Sequence, residues 1–260
     1  LVRLEALLRG QGSGLPPHPA ATWARLLDQP LAPAPREPPR PCPAPALRPR
    51  RLSVTEIETW IRDPYAIYAR HVLGLRRLAE IDEVADPAQY GQVVHDGLAR
   101  FLAAIGANWP ADAEARLLTC FNAALSAASL RPALVAWWRP RLQRIAAWVL
   151  AEEGARRAEP PLALATECGG ELVITDHGRP FVLVGRADRI ERRPDDTLVL
   201  FDYKTGTPPS DKEVEALLAP QLPLEAAMAE RGAFPLAGPV SGLLYWHLSG
   251  GVPPGKAREA

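Results

Sequence analysis

The feature that most restricts the fold is a change of hydrophobic period at Ala163. Upstream of it, apolar residues recur at helical spacing. In PAQYGQVVHDGLARFLAAIG, Val94, Leu98, Phe101, Leu102 and Ile105 fall on one side of a helix. AEARLLTCFNAALS and ALVAWWRPRLQRIAAWVLAEEGARR carry more helix, with the Trp137-Trp138 pair expected in the core. Downstream the period is two: ALATECGGELVIT, RPFVLVGRADRIERR and DTLVLFDYKTG read as three strands separated by turn residues. EVEALLAPQLPLEAAMAERGAF returns to helix, and VSGLLYWHLSGG is a last strand. This order predicts an α/β chain whose mixed central sheet is flanked by helices.

Residues 1–50 differ from the rest. QGSGLPPHPA and PLAPAPREPPRPCPAPALRPRR form a Pro-rich interdomain linker, extended and semi-rigid, interrupted by a helical patch near ATWARLLDQ. A connector at one end suggests a piece of a longer polypeptide, with the folded domain occupying residues 51–260. That domain opens on LSVTEIETWIRDPYAIYARHVLGL, where Ser53 or Thr55 is the expected helix N-cap and Asp63-Pro64 breaks the helix.

Thirty acidic and thirty basic residues cancel, so any nucleic-acid footprint must be local. Candidate clusters are Arg48/Arg50/Arg51, Arg76/Arg77 and Arg139/Arg141/Arg144, each equally well read as a solvated face. No run of about 18 apolar residues is present to cross a membrane. Cys42, Cys120 and Cys168 show no C-x-x-C spacing, which argues against a zinc ribbon or disulfide framework and fits a reducing cytosol.

The chemistry concentrates at the end of TLVLFDYKTG. Strand alternation puts Asp202 and Lys204 on one face and Phe201 and Tyr203 on the other, while Val184, Arg186, Asp188 and Ile190 share a face of the preceding strand. A three-residue loop, Pro194-Asp195-Asp196, pairs Arg193 with Thr197 and brings Asp188 opposite Asp202. Two opposed carboxylates repel unless a cation lies between them, and oxygen ligands favour hard ions such as Mg²⁺. A neighbouring lysine orients an attacking water and offsets charge on a phosphoryl oxygen. A cross-strand Asp–Lys ion pair at a solvated edge accounts for the tripeptide as well. His95 on its helix and Gln221 at the head of QLPLEAAMA are, taken alone, ordinary helix residues.

Taken in order, GQVVHDG, GRADRIE, LVLFDYKTG and QLPLEAAMA resemble the motifs of the RecB-like branch of PD-(D/E)XK nucleases, and within it the AddB-type C-terminal nuclease domain. The resemblance covers about residues 51 to 250. It implies a restriction-endonuclease-like core and one divalent-metal site. It implies Asp188, Asp202 and His95 as metal ligands, the Tyr203 carbonyl as a third protein oxygen, Lys204 as the catalytic lysine, and Gln221 as the residue setting lysine or substrate geometry. The implied activity is Mg²⁺-dependent DNA exonuclease cleavage (Mn²⁺ as substitute) during double-strand-break end resection. The implied partners are a single DNA strand delivered by a helicase and an AddA-type helicase-nuclease subunit in the bacterial cytoplasm. The alternative is an inactive nuclease-fold module for DNA guidance or subunit docking. Many AddB-type domains carry an iron–sulfur cluster; here Asp63 precedes Pro64-Tyr65 and no cysteine follows Cys168, so none is expected. Glu225 stands where an aromatic is common, and Ala99 where an acid sometimes follows the histidine.

Overall fold

The computed structural model describes residues 19–28, 37, 40–76, 78, 87–176 and 178–259. They divide into two units, Leu1–Cys42 and Pro43–Ala260. In the first, helix α1 (Pro19–Asp28) forms at the expected helical patch. Most of the Pro-rich stretch around it, and Arg77, lie outside the described residues.

In the second unit, strand β1 (Arg51–Ser53) runs straight into helix α2 (Val54–Arg62). Ser53 caps α2 reciprocally: its Oγ accepts from Glu56 N at 3.1 Å, and its own N–H donates to Glu56 Oε2 at 3.0 Å. Such a cap stabilises a helix by about 1 kcal/mol. Asp63 ends α2 and starts α3 (Pro64–Ile67), its Oδ1 accepting from Tyr65 N and Ala66 N. Pro64 sits in the first turn, where its missing N–H costs nothing.

Helices α4 (Pro87–Ile105), α5 (Ala113–Ala127) and α6 (Pro132–Arg156) follow. Val94, Leu98, Phe101, Leu102 and Ile105 are all buried, as their spacing predicts. The tryptophan pair divides. Trp138 is buried edge-on against Tyr90, whereas Trp137 is 60% exposed, with Arg141 at 5.8 Å from its ring centroid. Core packing therefore fails for Trp137, because one residue turns a side chain by about 100° around the helix.

The remaining strands are β2 (Ala163–Asp176), β3 (Arg179–Arg192), β4 (Leu198–Lys204), β5 (Val240–His247) and β6 (Lys256–Glu259). Helices α7 (Asp211–Glu215) and α8 (Gln221–Glu230) lie between β4 and β5. The six-stranded sheet runs β1-β3-β4-β5-β6, with β2 also on β3. β1 is parallel to β3 and β4 to β5; the other pairs are antiparallel. Short β1 and β6 were not foreseen, since three or four residues show no period.

One irregularity positions the site. β4 pairs with β3 from Arg192/Leu198 to Arg189/Phe201, and β1 pairs with β3 at Val182–Val184. Between those segments, Gly185–Asp188 has no ladder to either strand.

β4 is buried on both faces up to Tyr203, which explains its unbroken apolar run. Val199, Phe201 and Tyr203 pack with α4, α5 and α6; Leu198 and Leu200 pack with Val54, Leu222 and Met228 on the other side. A mixed sheet between helical layers is what the order of elements predicts, and it is consistent with the restriction-endonuclease-like core that the resemblance implies.

Candidate active site

The site lies where β4 parts from β3, and both helical layers reach it. Asp188, within β3, and Asp202, near the end of β4, are 8% and 2% exposed, and the side chain of Lys204 is 32% exposed beside them. From one layer α4 brings His95. Its Nε2 lies 2.8 Å from the Tyr203 carbonyl oxygen, and its Nδ1 lies 3.2 Å from Asp188 Oδ1 and 3.4 Å from Glu167 Oε1. From the other layer the first residue of α8, Gln221, meets Lys204 and Asp202.

Glu167 carries no sequence signal of its own. Thr166 pairs with Arg189 and Cys168 with Ala187, so Glu167 stands opposite Asp188 on β2. Its backbone is left-handed, with φ 48°, a conformation that costs a non-glycine residue about 1–3 kcal/mol. His95, Glu167 and Asp188 each offer a ligand atom, all within 4.8 Å of one another; this is the metal-competent His/Cys/Asp/Glu group among the described residues.

Burial lowers the basicity of His95, but hydrogen bonding and charge from Asp188 and Glu167 more than reverse that and raise its pKa to about 10. Without a cation it is therefore an imidazolium at neutral pH. It donates Nε2–H to Tyr203 O and directs Nδ1–H between two carboxylates.

Lys204 Nζ donates to Asp202 Oδ1 at 2.9 Å and to Gln221 Oε1 at 3.0 Å. Gln221 Nε2 donates to the same Asp202 oxygen at 3.0 Å and to Glu225 Oε1 at 3.4 Å. Burial pulls the lysine pKa down, but Asp202 outweighs it and the net shift is upward, so the ammonium persists. Burial raises the Asp202 carboxyl, Lys204 opposes, and Asp188 adds to the rise. Glu225, 1% exposed, is pushed well above the usual carboxylate range by burial and by the charges of Asp202 and Asp188.

The expected site residues thus fall into two adjoining groups. His95 meets Asp188 and the Tyr203 carbonyl, with Glu167 added; Asp202, Lys204 and Gln221 form the second, with Glu225 behind them. Tyr203 itself turns its ring into the core, as alternation predicts. The buried Asp202 Oδ2 has no hydrogen-bond partner among the described residues, and Glu167 Oε1 has only the long contact to His95 Nδ1 at 3.4 Å. An imidazole and several carboxylates, one with an unpartnered oxygen, fit a divalent cation such as Mg²⁺ or Mn²⁺.

A Rickettsia bellii protein described only as uncharacterized is 33% identical over 187 residues, covering 72% of this chain and 22% of its own length. A second uncharacterized protein, from Rickettsia conorii, is 32% identical over 191 residues, covering 72% and 23%. An ATP-dependent helicase/deoxyribonuclease component of Moorella thermoacetica is 31% identical over 232 residues, covering 76% and 20%. The chain thus spans about a fifth of the length of these relatives. The family profile of the PD-(D/E)XK nuclease superfamily matches residues 51–259, and the chain belongs to that superfamily.

Proposed function

We propose that residues 51–260 are a metal-dependent deoxyribonuclease domain that hydrolyses phosphodiester bonds, joined through the Pro-rich residues 1–50 to a larger helicase-nuclease assembly of the AddAB type. The observation that carries this reading is the convergence of Lys204, Asp202 and Gln221 beside the His95–Glu167–Asp188 group. A degenerate fold retained for docking has no need of an ammonium, an amide and an unpartnered buried carboxylate oxygen held together.

His95, Glu167 and Asp188, with Asp202 adjacent, would hold Mg²⁺ or Mn²⁺. That ion supplies Lewis acidity towards phosphoryl oxygens and eases deprotonation of water. The chain's own residues do the rest. Lys204 stays protonated, so it acts as a donor rather than a base: it orients the water and offsets negative charge developing on the phosphoryl group. Gln221 accepts from Lys204 and donates to Asp202, fixing the ammonium between them. The Tyr203 carbonyl holds the imidazole of His95 towards the two carboxylates. DNA as substrate, a strand delivered by a helicase, and an AddA-type partner rest on family membership and on the helicase/deoxyribonuclease relative.

The test is Lys204→Ala assayed on linear DNA with Mg²⁺. Cleavage falls by about 10²-fold or more, while circular dichroism stays that of the parent. Equal digestion by parent and variant refutes the assignment.

A further inference from the structure

Several arginines of the candidate DNA-contact clusters are engaged by main-chain carbonyls or a carboxylate of the chain. Arg48 and Arg50 bind the carbonyls of Pro43 and Pro45, and Arg51 pairs with Glu171. Arg141 and Arg144 bind the carbonyls of Ser249 and Gly250. Arg186 is set apart by its anchor: Arg48 and Arg144 also bond through Nε alone, but to main-chain carbonyls, whereas Arg186 bonds Glu167 of the candidate metal group. Arg186 stands on β3 two residues before Asp188, in the segment that has no ladder to β1 or β4. Its side chain is 66% exposed, and its bond to the protein uses only Nε, which donates to Glu167 Oε2 at 2.8 Å. The two Nη groups have no partner among the described residues.

We propose that Arg186 is a DNA-phosphate contact, anchored by Glu167 at the lip of the candidate metal group. Glu167 fixes the inner edge of the guanidinium and leaves its outer pair of N–H groups pointing into solvent. That pair matches two oxygens of a phosphate, the geometry for which arginine is suited and lysine is not. The anchor belongs to the group that would hold the cation, so a phosphate bound by Arg186 lies on the strand being cut, beside the reacting position. The left-handed backbone at Glu167 fits the same purpose: one carboxylate serves the arginine through Oε2 and turns Oε1 towards His95. A surface ion pair alone contributes little stability, about 0–1 kcal/mol, and gives no reason to hold a strained residue there.

The inference rests on the nuclease reading above, and the experiment separates the two. Binding of a fluorescent single-stranded oligonucleotide to the full chain is measured by anisotropy in EDTA, across a salt series and with two unrelated sequences. Arg186→Ala is expected to weaken binding about tenfold for both sequences. It is also expected to lower the slope of log K against log salt by about 0.7, the loss of one phosphate contact on a single strand. Arg186→Lys retains the slope while losing part of the affinity. The exposed Arg179→Ala, at the far end of β3, retains both. A merely structural role for Arg186 predicts no change in slope. If Arg186→Ala keeps the parent's affinity and slope, or Arg179→Ala loses as much, the inference falls and the nuclease reading stands. If the parent itself fails to bind the oligonucleotide, the DNA substrate is wrong and both fall.

Discussion

Asp188 Oδ2 accepts a hydrogen bond from the Tyr203 main-chain N–H at 2.7 Å. Arg193 N–H donates to Thr197 O, so the hydrogen-bonded pairs of the β3–β4 hairpin alternate from there through Glu191/Val199 and Arg189/Phe201. The next would join Ala187 to Tyr203. A carboxylate takes that place instead, so the strands part without leaving a buried N–H unsatisfied. The same carboxylate presents Oδ1 to His95.

That double use separates two substitutions. Asp188→Asn keeps an acceptor for Tyr203 N–H and removes the charge; Asp188→Ala removes both. Both abolish divalent-cation binding and cleavage. Both lose the charge partner of the His95 imidazolium; the alanine variant loses about 1–3 kcal/mol more, for the orphaned N–H. Isothermal titration with Mn²⁺ and urea unfolding of both proteins check this.

The hairpin was legible because a short turn fixes register: counting from Arg193 and Thr197 gives the observed pairs down to Arg189/Phe201. The same arithmetic reaches Glu167, since Thr175 opposite Pro180 puts Glu167 opposite Asp188. Nothing in the sequence draws attention to it, because TECGG carries no motif and its left-handed backbone leaves no trace in alternation. The meeting of His95 with Tyr203 spans 108 residues and follows from helix docking, which the residues of α4 alone do not specify. Resemblance implied both as metal ligands and not as partners of one another.

The imidazolium of His95 makes the metal-free protein sensitive to alkali. Its folded pKa, about 10, lies above the ordinary 6.5. Its contribution to stability is therefore fully present below pH 6.5 and is lost as pH rises through about 10. The melting temperature in EDTA is expected to fall from pH 7 to pH 10, and His95→Gln to flatten that dependence. Cation affinity moves the opposite way, rising with pH as the competing proton leaves. Scanning fluorimetry at several pH values, with and without Mn²⁺, reads both signs.

Behind Tyr203 lies a fully buried charge cluster. Arg189 and Glu153 are both 0% exposed, and Arg189 pairs with Glu153 and Glu191 while its guanidinium carbon stands 4.2 Å from the Phe201 ring centroid. Glu153→Ala leaves the buried Arg189 guanidinium with Glu191 alone and takes the carboxylate from Arg157 as well, and is expected to cost about 3–5 kcal/mol. Replacing Glu153 and Arg189 together, Glu153→Leu with Arg189→Met, removes the under-compensated buried guanidinium while Glu191 keeps Arg156, and costs less than the single change. Urea midpoints of the two proteins decide it; a double variant less stable than Glu153→Ala contradicts the electrostatic account.

His95 depends on how closely α4 approaches its neighbours. A Cβ at Gly97 would stand 2.7 Å from Phe121 Cε1 and closer still to Cδ1, a buried ring with no room to retreat. Gly97→Ala therefore drives α4 away from α5, and overpacking of this kind costs about 1–3 kcal/mol. Because His95 sits two residues earlier, the displacement also reaches the site, and Mn²⁺ affinity is expected to fall with stability. At Gly91 the added Cβ would stand 3.2 Å from the Thr205 hydroxyl. That single contact is offset by the roughly 1 kcal/mol that alanine adds to a helix over glycine. Gly91→Ala should thus match the parent in urea while Gly97→Ala does not. Equal midpoints for the two variants would show that the approach of α4 to α5 does not set the position of His95.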